Sequence, residues 1–272
     1  MQKAEFIKEW QRVVIKIGTN SIMNDYKSID LRKMDRLAYV CTALIQSGIE
    51  VVLVSSGSIG VGARVLNLDS YPSQVSELQA VAAVGQVRLM EHYNRFFQYY
   101  GQHTAQVLLT RDIIDNDNSH RNVVGTLNHL LRRGIVPIIN ENYVVSDDEI
   151  NHLTKFGDND TLSSIVAQII DADLLLLLSD VSALYDSNPK TNDQAKPIPF
   201  VSEISPTIEA MADGKGSAFA KGGMATKLTA AKRMLAINKS MIIASSQNPD
   251  DIFDILQGQS IGTLFSQSNL RN

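Results

Sequence analysis

Cysteine is nearly absent. Cys41 is the one thiol in 272 residues, so no disulfide can form within the chain. It lies among Leu37, Leu44 and Ile45 at helical spacing, which predicts a buried structural thiol in a reducing, cytoplasmic setting. Long apolar runs are missing too. The longest, Leu174 to Leu178, falls far short of the ~20 residues that span a bilayer. The charged start from Met1 to Trp10 carries no signal-peptide core, and no membrane association is expected. Charge of one sign is also scarce: the formal net charge of −4 argues against a nucleic-acid partner, which needs a basic surface. The five histidines (His92, His103, His120, His129, His152) show no H-E-x-x-H spacing, so zinc has no candidate site. No Ser-His-Asp arrangement is supported either.

What is present is ordinary for a globular fold: 44% hydrophobic and 20% charged residues. The chain alternates between two periodicities. Val13 to Ile17, Val51 to Val54, Gln106 to Leu109, Ile135 to Ile139, Leu174 to Leu178 and Met241 to Ala244 read as strands. Helical spacing runs through Asp30–Gln46, Ser73–Tyr99, Asn118–Arg133, Thr161–Ile170, Gly223–Ile237 and Asp250–Leu256. Pro137 places its strand near an edge or a ligand site. The unbroken apolar character of Leu174 to Leu178 fits a parallel strand covered on both faces. Alternating strands and helices predict an α/β fold, a three-layer α/β/α sandwich with a mainly parallel central sheet. One compact domain is expected over residues 1–265, with a lobe boundary near residue 171 and a polar tail at 266–272.

Ligands of open parallel sheets bind beyond the carboxyl ends of the strands. Small polar residues gather at those ends: Gly18-Thr19-Asn20-Ser21, the glycine-rich stretch Ser55 to Gly62, Asn140-Glu141-Asn142-Tyr143, and Ser179-Asp180. Gly57, Gly60 and Gly62 match neither G-x-G-x-x-G nor the Walker pattern, so they read either as a turn or as an anion cradle. Lys16 stands inside an apolar strand. Either it reaches out along the strand end or it serves a ligand cleft as a cation. Lys221-Gly222-Gly223-Met224-Ala225-Thr226-Lys227 opens a helix, where the macrodipole disfavours cations unless an anion sits nearby. Gly157-Asp158-Asn159-Asp160 is either a helix cap or a set of carboxylates that position lysines or a metal. Two lysines, a glycine turn and small polar loops suit phosphoryl transfer, which needs positioning and charge neutralisation more than covalent help.

Taken together, these segments resemble the amino-acid kinase family, and within it the members that phosphorylate glutamate. The resemblance is carried by Val14–Thr19, Val54–Ile59, Ala83-Val84-Gly85-Gln86, Val107–Arg111, Pro137–Asn142, Phe156–Asp160 and Lys221–Lys227, in family order over most of the chain. It implies ATP and magnesium as cofactors, and L-glutamate as acceptor, phosphorylated on its side-chain carboxylate in the first step of proline biosynthesis. By resemblance, Lys16 and Lys227 stabilise the transferring phosphoryl group, and Asp160 and Asp158 orient those lysines. Ser56, Gly57, Asn159 and the position of Tyr143 hold the substrate. Lys16, Ser179, Asp180, Lys221, Gly222, Gly223, Met224, Ala225, Thr226 and Lys227 bind ATP. Metal ligands stay unassigned. The resemblance further implies a substrate lobe over about 1–170, a nucleotide lobe over about 171–265, a homodimer or homotetramer, proline as an inhibitor, and a reductase that consumes the product.

Two departures from the family pattern stand out. The family has aspartate where this chain has Tyr143, and a neutral phenol does not replace a carboxylate opposite an ammonium; Glu141, Asp147 or Asp148 are candidates to compensate. A related carboxylate or carbamate kinase therefore stays open, as does a non-catalytic sensor on this fold. The chain is also expected to lack the C-terminal PUA domain that many members carry.

Overall fold

The computed structural model describes residues 7, 9–24, 28–70, 72–110, 116–145, 159–189, 191–212, 223–268 and 270. The first half contains β1 (Arg12–Ile17), α1 (Thr19–Ile22), α2 (Leu31–Gln46), β2 (Glu50–Ser55), α3 (Ser58–Val65), α4 (Val75–Tyr99), β3 (Thr104–Leu109), α5 (Asp117–Arg132) and β4 (Val136–Glu141). The second contains α6 (Asn159–Ile169), β5 (Leu174–Ser179), β6 (Phe200–Val201), α7 (Pro206–Ala212), α8 (Met224–Ala236), β7 (Ser240–Ser245), α9 (Asp251–Leu256) and β8 (Thr263–Phe265). The strands join in one eight-stranded sheet of order β3-β4-β2-β1-β5-β7-β8-β6. Every pairing is parallel except β7 with β8.

Strand parity builds the layers, since successive side chains point to opposite faces. Val13, Ile15 and Ile17 of β1 face one core together with Met34, Leu37, Cys41 and Leu44 of α2 and Leu89, Tyr93 and Phe97 of α4. Val14 faces the other core, with Ile165 and Val166 of α6 and Leu228, Ala231 and Met234 of α8. Lys16 shares the parity of Val14, so it is aimed toward the α6 and α8 layer. All six residues of β5 are buried, as a strand covered on both faces requires. Cys41 is buried, and burial pushes its thiol above the ordinary range.

Local signals stop the helices where expected. The Asp30 carboxylate accepts from the Lys33 N–H and caps α2, and Gly48 beyond its end takes φ +95°. The glycine-rich stretch at 55–62 departs from a loop. Only Gly57 turns the chain, at φ +107°, and Ser58 already begins α3. Gly62 serves packing instead: a Cβ there would overlap the Val81 carbonyl of α4, and one on Gly85 would overlap the Ser58 carbonyl. The two helices therefore touch backbone to backbone. β4 lies inside the sheet between β3 and β2 despite Pro137. The short elements α1, β6 and α7 carry no periodicity long enough to be read in advance.

Candidate active site

The register aligns the strand ends into one rim. Ile17 pairs with Ser55 of β2 and Leu178 of β5, Val54 pairs with Ile139 of β4, and Ser179 pairs with Ser245 of β7. The chain leaves β1 toward β2 and leaves β5 toward β7, in opposite directions along the sheet. Between those adjacent strands lies the switch point where open parallel sheets bind ligands.

At this point three charged side chains meet. Lys16 Nζ lies 2.6 Å from Asp160 Oδ1, and Lys227 Nζ donates to Asp160 Oδ2 at 3.0 Å. Each lysine thus takes a different oxygen of the carboxylate. Thr226 Oγ1 donates to the same Oδ2 at 2.9 Å, and also lies 2.8 Å from the Gly223 carbonyl. Burial alone would raise the Asp160 carboxyl, but the two ammonium groups outweigh it and hold its pKa below the ordinary value. Asp160 is 2% exposed and Lys227 6%, so the cluster is desolvated and carries a net positive charge.

The sequence puts each member there for a local reason. Lys16 comes from strand parity. Asp160 stands in the first turn of α6, where the helix dipole favours a carboxylate. Lys227 stands near the start of α8, which has no acidic residue in its first turn; Asp160 of α6 supplies the missing anion across the layer.

Beside the charge cluster runs a line of amides. Asn159 Nδ2 donates to Ser56 Oγ at 2.6 Å and to Asn140 Oδ1 at 3.3 Å. Asn140 Nδ2 donates to Gln86 Oε1 at 2.9 Å. Among the described residues, Asn159 Oδ1 and Ser58 Oγ are buried without a hydrogen-bond partner, which is unusual for buried polar atoms. Gly57 makes the turn that brings Ser56 and Ser58 to this rim, and a Cβ on it would press on Ile22. Tyr143 is 5% exposed in the turn after β4, with Val144 and Val145 exposed beside it. A buried phenol thus stands where the resemblance implied an aspartate. On the β5 side, Ser179 Oγ donates to Asp180 Oδ1 at 3.0 Å, and Asp180 is exposed. Gly223, Met224, Ala225 and Thr226 form the start of α8.

The structure thus brings Lys16, Ser56, Asn159, Asp160, Thr226 and Lys227 together, with Gly57, Gly223 and Ser179 on the same rim. Asp147, Asp148, Asp158, Lys221 and Gly222 lie outside the described residues. Sequence reasoning gave no role to Gln86 or Asn140 and did not foresee the Thr226 bond to Asp160. The one available signal for Gln86 was its place in the Ala83–Gln86 segment. Among the described residues no three His, Cys, Asp or Glu side chains converge on a metal position, and no helix is long and apolar enough to cross a membrane.

The model of the amino acid kinase family matches residues 11–245. The chain belongs to the amino acid kinase family. It is 50% identical over 262 residues to the glutamate 5-kinase of Listeria monocytogenes serovar 1/2a, covering 96% of this chain and 95% of the relative. It is 48% identical to the glutamate 5-kinase of Enterococcus faecalis, covering 95% and 96%. Two solved structures share the fold at low identity. The UMP kinase of Bacillus anthracis superposes with a TM-score of 0.64 at 16% identity, over 95% of this chain and 97% of that one. A Giardia lamblia carbamate kinase bound to AMP-PNP superposes with a TM-score of 0.66 at 18% identity, over 95% and 99%.

Proposed function

We propose that this member of the family is a kinase that transfers the γ-phosphoryl group of ATP to the side-chain carboxylate of L-glutamate. A carboxylate oxygen forms a bond to the γ-phosphorus, the bond to the β,γ-bridging oxygen breaks, and ADP leaves with that electron pair. The product is γ-glutamyl phosphate. The observation that carries this reading is the Lys16–Asp160–Lys227 bridge at the switch point. Donor and acceptor are both anions, so their approach is opposed by charge repulsion. Two ammonium groups fixed in a desolvated site offset that repulsion, and offset it most where charge spreads over the transferring group. Asp160 holds both lysines in place before substrate arrives. The relatives of known name at about half identity over nearly the whole chain support glutamate as the acceptor.

In this reading Ser56, Gly57 and Asn159 hold glutamate in a lobe of about residues 1–170, and Asp158 joins Asp160 in orienting the two lysines. Ser179, Asp180 and the segment 221–227 hold ATP in a lobe of about 171–265. The ribs of this arrangement are the rim of strand ends described above. Magnesium would be held through the ATP phosphates rather than by Asp160, whose carboxylate is engaged by two lysines, and would neutralise phosphate charge when bound. The labile acyl phosphate is consumed by a reductase in proline biosynthesis, and the enzyme works in the cytoplasm as a homo-oligomer subject to inhibition by proline.

Tyr143 favours a second reading, a related carboxylate kinase with altered acceptor, because a buried phenol stands at a position where the family carries a carboxylate. Trapping the acyl phosphate with hydroxylamine separates the two. Turnover of L-glutamate well above L-aspartate and N-acetylglutamate is expected. Equal or better turnover of aspartate overturns the assignment.

A further inference from the structure

Gln86 sits on α4, against the opposite face of the sheet from α6 and α8. Its helix is held close by the Gly62 and Gly85 backbone contact and by the Tyr93 hydroxyl, 2.8 Å from Ser55 Oγ. Strand parity sends Asn140 the same way as Ile138, toward the core that α4 covers. Asn159 begins a helix on the other side. The amide line from Gln86 through Asn140 to Asn159 therefore wraps around the strand ends and couples the two helical layers.

Its direction is fixed. The Glu141 N–H can only donate, and it meets Asn140 Oδ1 at 2.9 Å. Asn140 must then present Nδ2 to its other neighbour, and Gln86 Oε1 is the acceptor that receives it. Asn140 Oδ1 in turn takes Nδ2 of Asn159, as the Ser56 hydroxyl also does. Both contacts use the same end of the Asn159 amide. Among the described residues its carbonyl oxygen is left buried without a donor, an arrangement that costs stability unless a ligand supplies one.

We propose that Gln86 is a positioning residue for acceptor selection: through Asn140 it keeps the Asn159 carbonyl turned to the substrate, where it accepts from a free ammonium. This rests on the glutamate reading given above. Without the Gln86 acceptor, Asn140 Nδ2 is an orphan in a site 1% exposed, and the Asn140 side chain gains by swinging away. Asn159 then keeps Ser56 alone and is free to offer its NH₂ group, which suits no ammonium.

The test compares L-glutamate with glutarate, which has both carboxylates and no ammonium. The readout is the inhibition constant of glutarate divided by the KM for glutamate. Gln86→Leu is expected to lower that ratio about tenfold, the effect of one unmet buried hydrogen bond, with kcat within about threefold of wild type. Gln86→Glu keeps an acceptor at the same place and is expected to restore the ratio. Gln86→Met also lacks an acceptor, packs more adaptably and is read in parallel, so the ratio is measured even where the leucine variant fails to fold. A ratio unchanged in the leucine or methionine variant, with wild-type turnover of glutamate intact, overturns the positioning role alone. No wild-type turnover of glutamate overturns the proposed function, and this role with it.

Discussion

Replacing Asp160 with asparagine removes the carboxylate that bridges two buried ammonium groups. Lys16 and Lys227 lie 2.6 and 3.0 Å from opposite oxygens of that carboxylate, with side-chain exposures of 12% and 8%. Nothing in water replaces a partner at such depth. Removing one member of a buried ion pair costs about 3–5 kcal/mol, which in a chain of this size lowers the Tm by about 10 °C. The acid limb gives a second reading of the same charge. The folded pKa of Asp160 is depressed, so its stabilisation is present above the unfolded pKa and is lost as pH falls through the folded one. Wild-type protein is therefore expected to lose this increment only below about pH 4, while Asp160→Asn lacks it at every pH. A polyanion is expected to restore part of the loss, so ATP raises the Tm of the variant more than that of wild type. The assays are thermal melts from pH 3 to 8 with and without ATP, and steady-state turnover at pH 7.5. An Asp160→Asn protein that melts with wild type and turns over at the wild-type rate refutes the charge-bridge argument.

Lys227→Ala is expected to lower kcat by about 10²–10³-fold, as loss of a preorganised charge at the transferring group does; it folds, because Lys16 still neutralises Asp160, and circular dichroism with steady-state kinetics checks both. Tyr143→Asp is expected to lower the KM for glutamate by pairing its ammonium, while lowering the Tm without substrate because a carboxylate then occupies a buried position; a raised KM shows that Tyr143 belongs to a differently adapted pocket. Gly85→Ala is expected to cost about 1–3 kcal/mol, read in urea melts, because its methyl group meets the Ser58 carbonyl. It also displaces Gln86, so the KM for glutamate rises with it.

The amino-acid sequence by itself determined the layered α/β fold and most element bounds. Apolar runs such as Leu174 to Leu178 and the 3.6-residue spacing of Leu37, Cys41 and Leu44 are local patterns, and burial on one face or two leaves its mark on neighbouring residues. Lys16 was conspicuous for the same reason, as a cation in an apolar strand. The glycines show where local reading stops. Gly57, Gly60 and Gly62 look alike in the chain, yet only Gly57 needs a left-handed backbone, while Gly62 is required by a helix that arrives 19 residues later at Val81.

The contacts themselves were decided by tertiary structure, although the family resemblance already implied that Asp160 serves Lys16 and Lys227. Asp160 and Lys227 are separated by 67 residues, Gln86 and Asn140 by 54, and Ser56 and Asn159 by 103. No periodicity within one element encodes which distant amide will face which. That choice follows from the order of strands in the sheet, which brings the ends of β1, β2, β4 and β5 to one rim, and from strand parity, which sends Lys16 to one layer and Asn140 to the other.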